Sequence, residues 1–205
     1  GTYVINSKDD AIRGKDSIEI TDGNFTIVAL GDGIKSTNDS DSSLGYILIH
    51  NGNFDIDAKN DGIQAETKIV IENGNFDIKT SDSSDSAKGI KAGDNIVIKN
   101  GNFTINSIDD AIHSNNYVGI ENGNFDITSS DDGIHADSEL IIDGGEISIK
   151  KSYEGLEASE ITINGGVINI NASDDGINAG NKSSAYSVTI EINGGDITIV
   201  MGQGD

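Results

Sequence analysis

The chain has 205 residues, with 13 Lys plus Arg against 35 Asp plus Glu and a formal charge of −22. Pro, Cys and Trp are absent, which excludes a disulfide frame, a zinc–thiolate centre and thiol catalysis. So acidic a chain repels nucleic acid and anionic membrane surfaces, so neither is an expected partner. It has no run of about 18 apolar residues to form a membrane-spanning helix, and no basic-then-apolar leader.

In chain order, the first apolar element is Tyr3–Ile5, which precedes Phe25–Ile27 by 22 positions. It reads as the last strand of an earlier coil. After it, three apolar columns run through the sequence. The first is Ile12, Ile34, Ile63, Ile90, Ile112, Ile134, Leu156 and Ile177. The second is Ile20, Ile49, Ile71, Ile98, Ile120, Ile142, Ile163 and Ile192. The third is Phe25, Phe54, Phe76, Phe103, Phe125, Ile147, Ile168 and Ile197. Steps within the first column are 22, 29, 27, 22, 22, 22 and 21, a basic period of 22. The longer steps fall in Asp/Ser/Asn/Gly-rich stretches (Thr37–Gly45, Ser81–Ser86, and Gly180–Ser187 further on), which read as loops bulging from a constant core.

Within each period, I-x-I and F-x-I pieces alternate with the strand period of two. Asn-Gly or Gly-Gly between them supplies a tight turn, and no segment has a helical period. Three strands per turn, wound into a solenoid, place like residues on like at about 4.8 Å per coil. The predicted fold is all-β: a right-handed single-stranded parallel β-helix of about eight coils, in one domain over 1–205. The hand follows from general strand twist and from the resemblance below. Both ends fall within a repeat, as expected for a piece of a longer protein or for open ends that stack on neighbours, end to end or side by side.

The phenylalanine column shares parity with the Ile after it and points inward, as an internal aromatic ladder. Asn51, Asn73, Asn100 and Asn122 read as turn formers and a hydrogen-bonded ladder. The position two before each first-column residue reads Asp10, Asp32, Asp61, Lys88, Asp110, Asp132, Glu154 and Asp175, and Asp9, Asp109, Asp131 and Asp174 double the acid. Carboxylates about 4.8 Å apart repel by about 3.5 kcal/mol at an effective dielectric near 20. Two readings stand. Either cations occupy the column, with Ca²⁺ suited to hard oxygen ligands, or each Asp caps a turn through its backbone. Metals that prefer imidazole look poorly served, with only His50, His113 and His135 present. The residue after each first-column position includes Arg13, Lys35, Lys91, His113 and His135. This strip is either a solvated face or a carbohydrate-facing one.

The segments DDAI, GDGIKSTND, NDGIQAET, KGIKAG, DDAIHSN, DDGIHAD, SYEGLEAS and DDGINAG resemble, in order along nearly the whole chain, a family of bacterial right-handed β-helix carbohydrate-binding proteins. These are similar to calcium-dependent polysaccharide lyases. The resemblance implies a secreted or cell-surface protein that binds plant cell-wall polysaccharide, either acidic glycans such as polygalacturonate or cellulose, without established cleavage. It also implies Ca²⁺ at Asp9, Asp10, Asp109, Asp110, Asp131, Asp132, Asp174 and Asp175, with Asp32, Asp61 and Glu154 as weaker positions. Lys88, Ala87 and Tyr153 depart from the doubled acid. No catalytic residue is assigned. Two further classes remain open: a pectate-lyase-like eliminase, for which Lys88, Lys91, Lys150 or Lys151 would be the base, and a structural solenoid with calcium between its coils.

Overall fold

The computed structural model describes residues 1–82, 86–180 and 187–201. Among these the chain forms 23 strands and no helix. All of their pairings are parallel, and all three apolar columns stay in register from coil to coil. Ile12 pairs with Ile34 and so on to Leu156 with Ile177. Ile20 runs through to Ile192, and Phe25 to Ile197. The expected parallel β-helix is therefore the observed fold, and Tyr3 pairs with Phe25 as the earlier coil's strand.

One face is a sheet of nine strands carrying the third column, from Thr2–Ser7 to Asp196–Met201. The other two faces carry the first and second columns. They join where the long strands Ile134–Ile142 and Leu156–Ile163 run through the corner between them. Burial alternates along almost every strand, so each coil contributes one layer of Ile, Phe and Ala to a continuous core. The aromatic column is internal: Phe25, Phe54, Phe76, Phe103 and Phe125 stack with ring centroids 4.7–4.9 Å apart and planes within 4°.

Asparagine forms two outer ladders. At the turns, Asn73 donates to Asn51 and Asn100 to Asn73. At the strand starts, side-chain amides link Asn24, Asn53, Asn75, Asn102 and Asn124 at 2.7–2.8 Å. Sequence reasoning found the first ladder and missed the second, although Asn recurs before every Phe. The middle residues of the second face's strands, Leu48, Val70, Val97 and Ile141, are half-buried. In the loop Thr37–Gly45, Asn38 Oδ1 accepts the N–H groups of Ser40 and Asp41. The other two expected loops lie partly outside the described residues.

The register shifts between Ile127 and Thr128, and again between Ile149 and Ser152, on the nine-stranded face. A third shift lies between Ala136 and Glu139. Such irregularities re-aim neighbouring side chains, and here they flank the coil that presents Tyr153, Glu154 and Glu157.

The Asn-Gly turn depends on glycine. Gly74 has φ +139°, and a Cβ there would lie 2.9 Å from Phe76 Cε2 and 3.0 Å from the Gly52 carbonyl oxygen. Gly74→Ala is therefore expected to destabilise the fold by about 1–3 kcal/mol through strain and overpacking. Phe76→Ala, which opens a gap in the aromatic stack, is expected to cost about 3–5 kcal/mol. Urea unfolding monitored by far-ultraviolet circular dichroism measures both; an unchanged midpoint for either contradicts the packing described.

Candidate metal and ligand site on the acidic column

Winding brings the acids into one file, and five of its carboxylates, Asp10, Asp32, Asp61, Asp110 and Asp132, are used twice. The Oδ1 of each accepts the backbone N–H of the equivalent residue one coil on. Asp10 takes that of Asp32 (3.0 Å), Asp32 that of Asp61 (2.8 Å) and Asp61 that of Lys88 (2.8 Å). Further along, Asp110 takes that of Asp132 (3.0 Å) and Asp132 that of Glu154 (3.3 Å). Lys88 has no carboxylate to offer, and there the Asp110 N–H turns to Asp109 Oδ1 at 2.8 Å. The turn-capping reading thus holds in a modified form: Asp10, Asp32, Asp61, Asp110 and Asp132 each cap the next coil, and Asp109 caps its own.

The second oxygen faces a cation for most of the column. Lys35 Nζ lies 2.5 Å from Asp32 Oδ2, Arg13 Nε 3.7 Å from Asp10 Oδ2, and Lys91 Nζ 3.8 Å from Asp61 Oδ2. His113 Nδ1 lies 2.8 Å from Asp110 Oδ2, and His135 Nδ1 2.9 Å from Asp132 Oδ2. The strip of residues after the first column is therefore neither a plain solvated face nor a free sugar-facing one. Arg13, Lys35 and Lys91 are counter-charges to the acids, His113 and His135 hydrogen-bond to them, and His135 is buried. Lys88 Nζ fills its own gap, 2.8 Å from Asp109 Oδ2 and 3.6 Å from Asp110 Oδ2. Burial pulls its pKa down, but Asp109 and Asp110 outweigh this and hold the ammonium above its ordinary range. A base for elimination needs the opposite shift.

Compensation weakens toward the C-terminal coils. The position that holds Lys35 or His135 earlier is Glu157 beside Glu154 and Asn178 beside Asp175. Ser86, Lys88, Asp109, Asp110, Asp131, Asp132, His135, Tyr153, Glu154 and Glu157 line a cleft of about 330 Å³. Glu154 Oε1 accepts from Asn178 Nδ2 at 2.8 Å, while its Oε2 is buried without a hydrogen-bond partner. Burial and the neighbouring Glu157 push the Glu154 pKa up to about 7. Burial, then Asp132, push Asp131 up to about 6. Oxygens of Asp109, Asp110 and Asp131 lie within 4.8 Å of one another, as do those of Glu154, Asp174 and Asp175. Asp131, Asp174 and Asp175 are exposed. Asp9 is exposed too and accepts none of the ladder's backbone bonds.

The raised carboxylates set a pH dependence. An acid whose folded pKa exceeds its unfolded value adds stability at low pH and loses it as pH rises through the folded pKa. The raised pKa of His135, where Asp132, Asp110 and Glu157 overcome burial, acts in the same direction. The metal-free protein is thus expected to melt at progressively lower temperature as pH rises from about 5 to about 8. Calorimetric scans in chelator test this; a flat or rising profile contradicts the crowding of Asp131 and Glu154.

A family model described as "carbohydrate-binding domain-containing protein" matches residues 1–133 and 114–205. No curated protein and no solved structure matches the chain. The two matched segments together span the whole solenoid, including every coil of the acidic column, and the chain belongs to this family of carbohydrate-binding domain-containing proteins.

Proposed function

We propose that this chain is a non-catalytic, calcium-dependent binder of acidic polysaccharides, such as the polygalacturonate of plant cell walls, and that it acts outside the cell, secreted or at the cell surface. Family membership supports the carbohydrate. The observation that carries the finer reading is the change in charge compensation along the column. Asp10, Asp32 and Asp61 are each matched by a side-chain cation, whereas Glu154, Asp174 and Asp175 crowd together with no lysine or arginine beside them among the described residues.

The donor set there suits a hard divalent cation. Glu154, Asp174 and Asp175 offer only oxygen, bring it within 4.8 Å, and include the orphaned Glu154 Oε2. Asp109, Asp110 and Asp131 form a second all-oxygen group, already touched by Lys88. Calcium bound at these positions supplies the positive charge that lets a uronate carboxylate approach a chain of −22. The protein's own residues fix where this happens. The backbone ladder holds Asp110 and Asp132 in place, Asn178 orients Glu154, and exposed Asp131, Asp174 and Asp175 face the solvent from which a polymer arrives.

Retention on immobilised polygalacturonate is expected in millimolar calcium and lost in chelator. Asp174→Asn is expected to weaken calcium binding by about tenfold or more, a difference of about 1.4 kcal/mol. Asp32→Asn keeps an oxygen for the Asp61 N–H and is expected to change calcium binding little. Undiminished retention in chelator, or equal effects of the two substitutions by titration calorimetry, would overturn the calcium reading. Ultraviolet absorbance from an unsaturated product would replace binding by elimination.

A further inference from the structure

The coil spacing that stacks the acids also stacks two histidines. His113 and His135 are paired across neighbouring strands, with ring centroids 4.7 Å apart. Their Nδ1 atoms face the same carboxylates. His113 Nδ1 is 2.8 Å from Asp110 Oδ2. His135 Nδ1 is 2.9 Å from Asp132 Oδ2, 3.0 Å from Glu157 Oε2 and 3.9 Å from Asp110 Oδ2. We propose that His113, His135 and Asp110, with Asp132 or Glu157, form a binding site for a borderline divalent transition metal of the Zn²⁺ class, distinct from the Glu154–Asp174–Asp175 calcium position and sharing only Asp110 with the Asp109–Asp110–Asp131 group.

Spacing, orientation and burial support this assignment. Ligands about 2.0–2.1 Å from a tetrahedral ion sit about 3.3 Å from one another, and the separations above bracket that value. His113 Nε2 lies 3.1 Å from Asn115 Oδ1. The outer nitrogen is thus held against an acceptor while Nδ1 points at Asp110 Oδ2. An outer acceptor of this kind is what orients a ligating imidazole. At His135, Nδ1 faces two carboxylate oxygens at once, Asp132 Oδ2 at 2.9 Å and Glu157 Oε2 at 3.0 Å. Asp132, His135 and Glu157 are all more than nine-tenths buried, so water is a poor substitute.

Buried atoms nearby also point to a ligand. His135 Nε2 lies 3.2 Å from Asp137 Oδ1 without hydrogen-bond geometry, and it and Glu154 Oε2, in the wall of the same cleft, have no hydrogen-bond partner although buried. The imidazoles decide the metal. Two nitrogen donors favour Zn²⁺, Co²⁺, Ni²⁺ or Cu²⁺ over calcium. His50 is a useful contrast: it sits between Glu19 and Glu72 on the open surface, far along the second face, with no second imidazole.

The test uses the whole chain, stripped of metal and held in millimolar calcium, with Zn²⁺ as titrant. Calorimetry is expected to show one saturable Zn²⁺ site that excess calcium does not displace. His113→Gln with His135→Gln is expected to weaken it about 100-fold or more, and His50→Gln to leave it unchanged. Zinc-edge X-ray absorption of the wild-type complex is expected to show imidazole scattering, a readout that stands even where the double variant fails to fold. Displacement by calcium, retention of the site in a folded double variant, or an oxygen-only absorption spectrum would overturn the assignment. Polygalacturonate retention in calcium without zinc reports on the calcium reading separately.

Discussion

Register is the constraint on which the rest of this structure depends. A period of about 22 residues wound into parallel coils puts each residue against its own counterpart, one strand spacing away. For Ile and Phe this is favourable: identical shapes interdigitate, and five phenyl rings stack in one file. For Asp it is unfavourable, because equal charges meet at the same short distance. The sequence repeats both kinds of residue with equal fidelity, so the fold must offset the second to keep the first.

The offset has two local parts. A carboxylate oxygen caps the backbone N–H of the following coil, which turns a repelling file into a ladder of charge-assisted hydrogen bonds. A basic or imidazole side chain three residues on then faces the other oxygen. Both parts operate in the coils of Asp10, Asp32, Asp110 and Asp132. Asp61 is met instead by Lys91 of the next coil, Lys88 replaces the acid in the fourth coil, and Glu157 and Asn178 occupy the basic position in the last two. The shape of the solenoid is uniform along its length, and its electrostatics are not. The proposed function rests on that difference: among the described residues, side-chain cations stand beside the acids of the N-terminal coils, and the proposal assigns an external cation to the C-terminal ones, where none does.

Much of this was legible in the residues. The three columns, the inward aromatic file, the insertion after Thr37 and the alignment of the acids follow from counting, because the strand period and the repeat period leave little freedom in which residues meet. Side-chain partners were less legible. The strip from Arg13 to His135 looked outward from its strand parity, but at the tight corner Arg13, Lys35, His113 and His135 lean back over their own turn onto the acid three positions before, and Lys91 reaches Asp61 of the preceding coil. The Asp-to-backbone bond is also invisible within one repeat, since its donor is 22 to 29 residues away. The same oversight hid the imidazole pair. Three histidines in a sequence suggest scarcity, and only the step of 22 from His113 to His135 shows that two of them are neighbours. The second asparagine ladder had a signal, Asn before each Phe, that turn-based reasoning passed over.

Calcium anomalous scattering from crystals grown in millimolar calcium addresses the central claim most directly. Density is expected beside Glu154, Asp174 and Asp175, with the Asp109–Asp110–Asp131 group next in occupancy, and none along Asp10, Asp32 and Asp61, where lysine and arginine already stand. A column free of calcium throughout, or ions seated at the N-terminal coils instead, would contradict the link between missing side-chain cations and ligand binding.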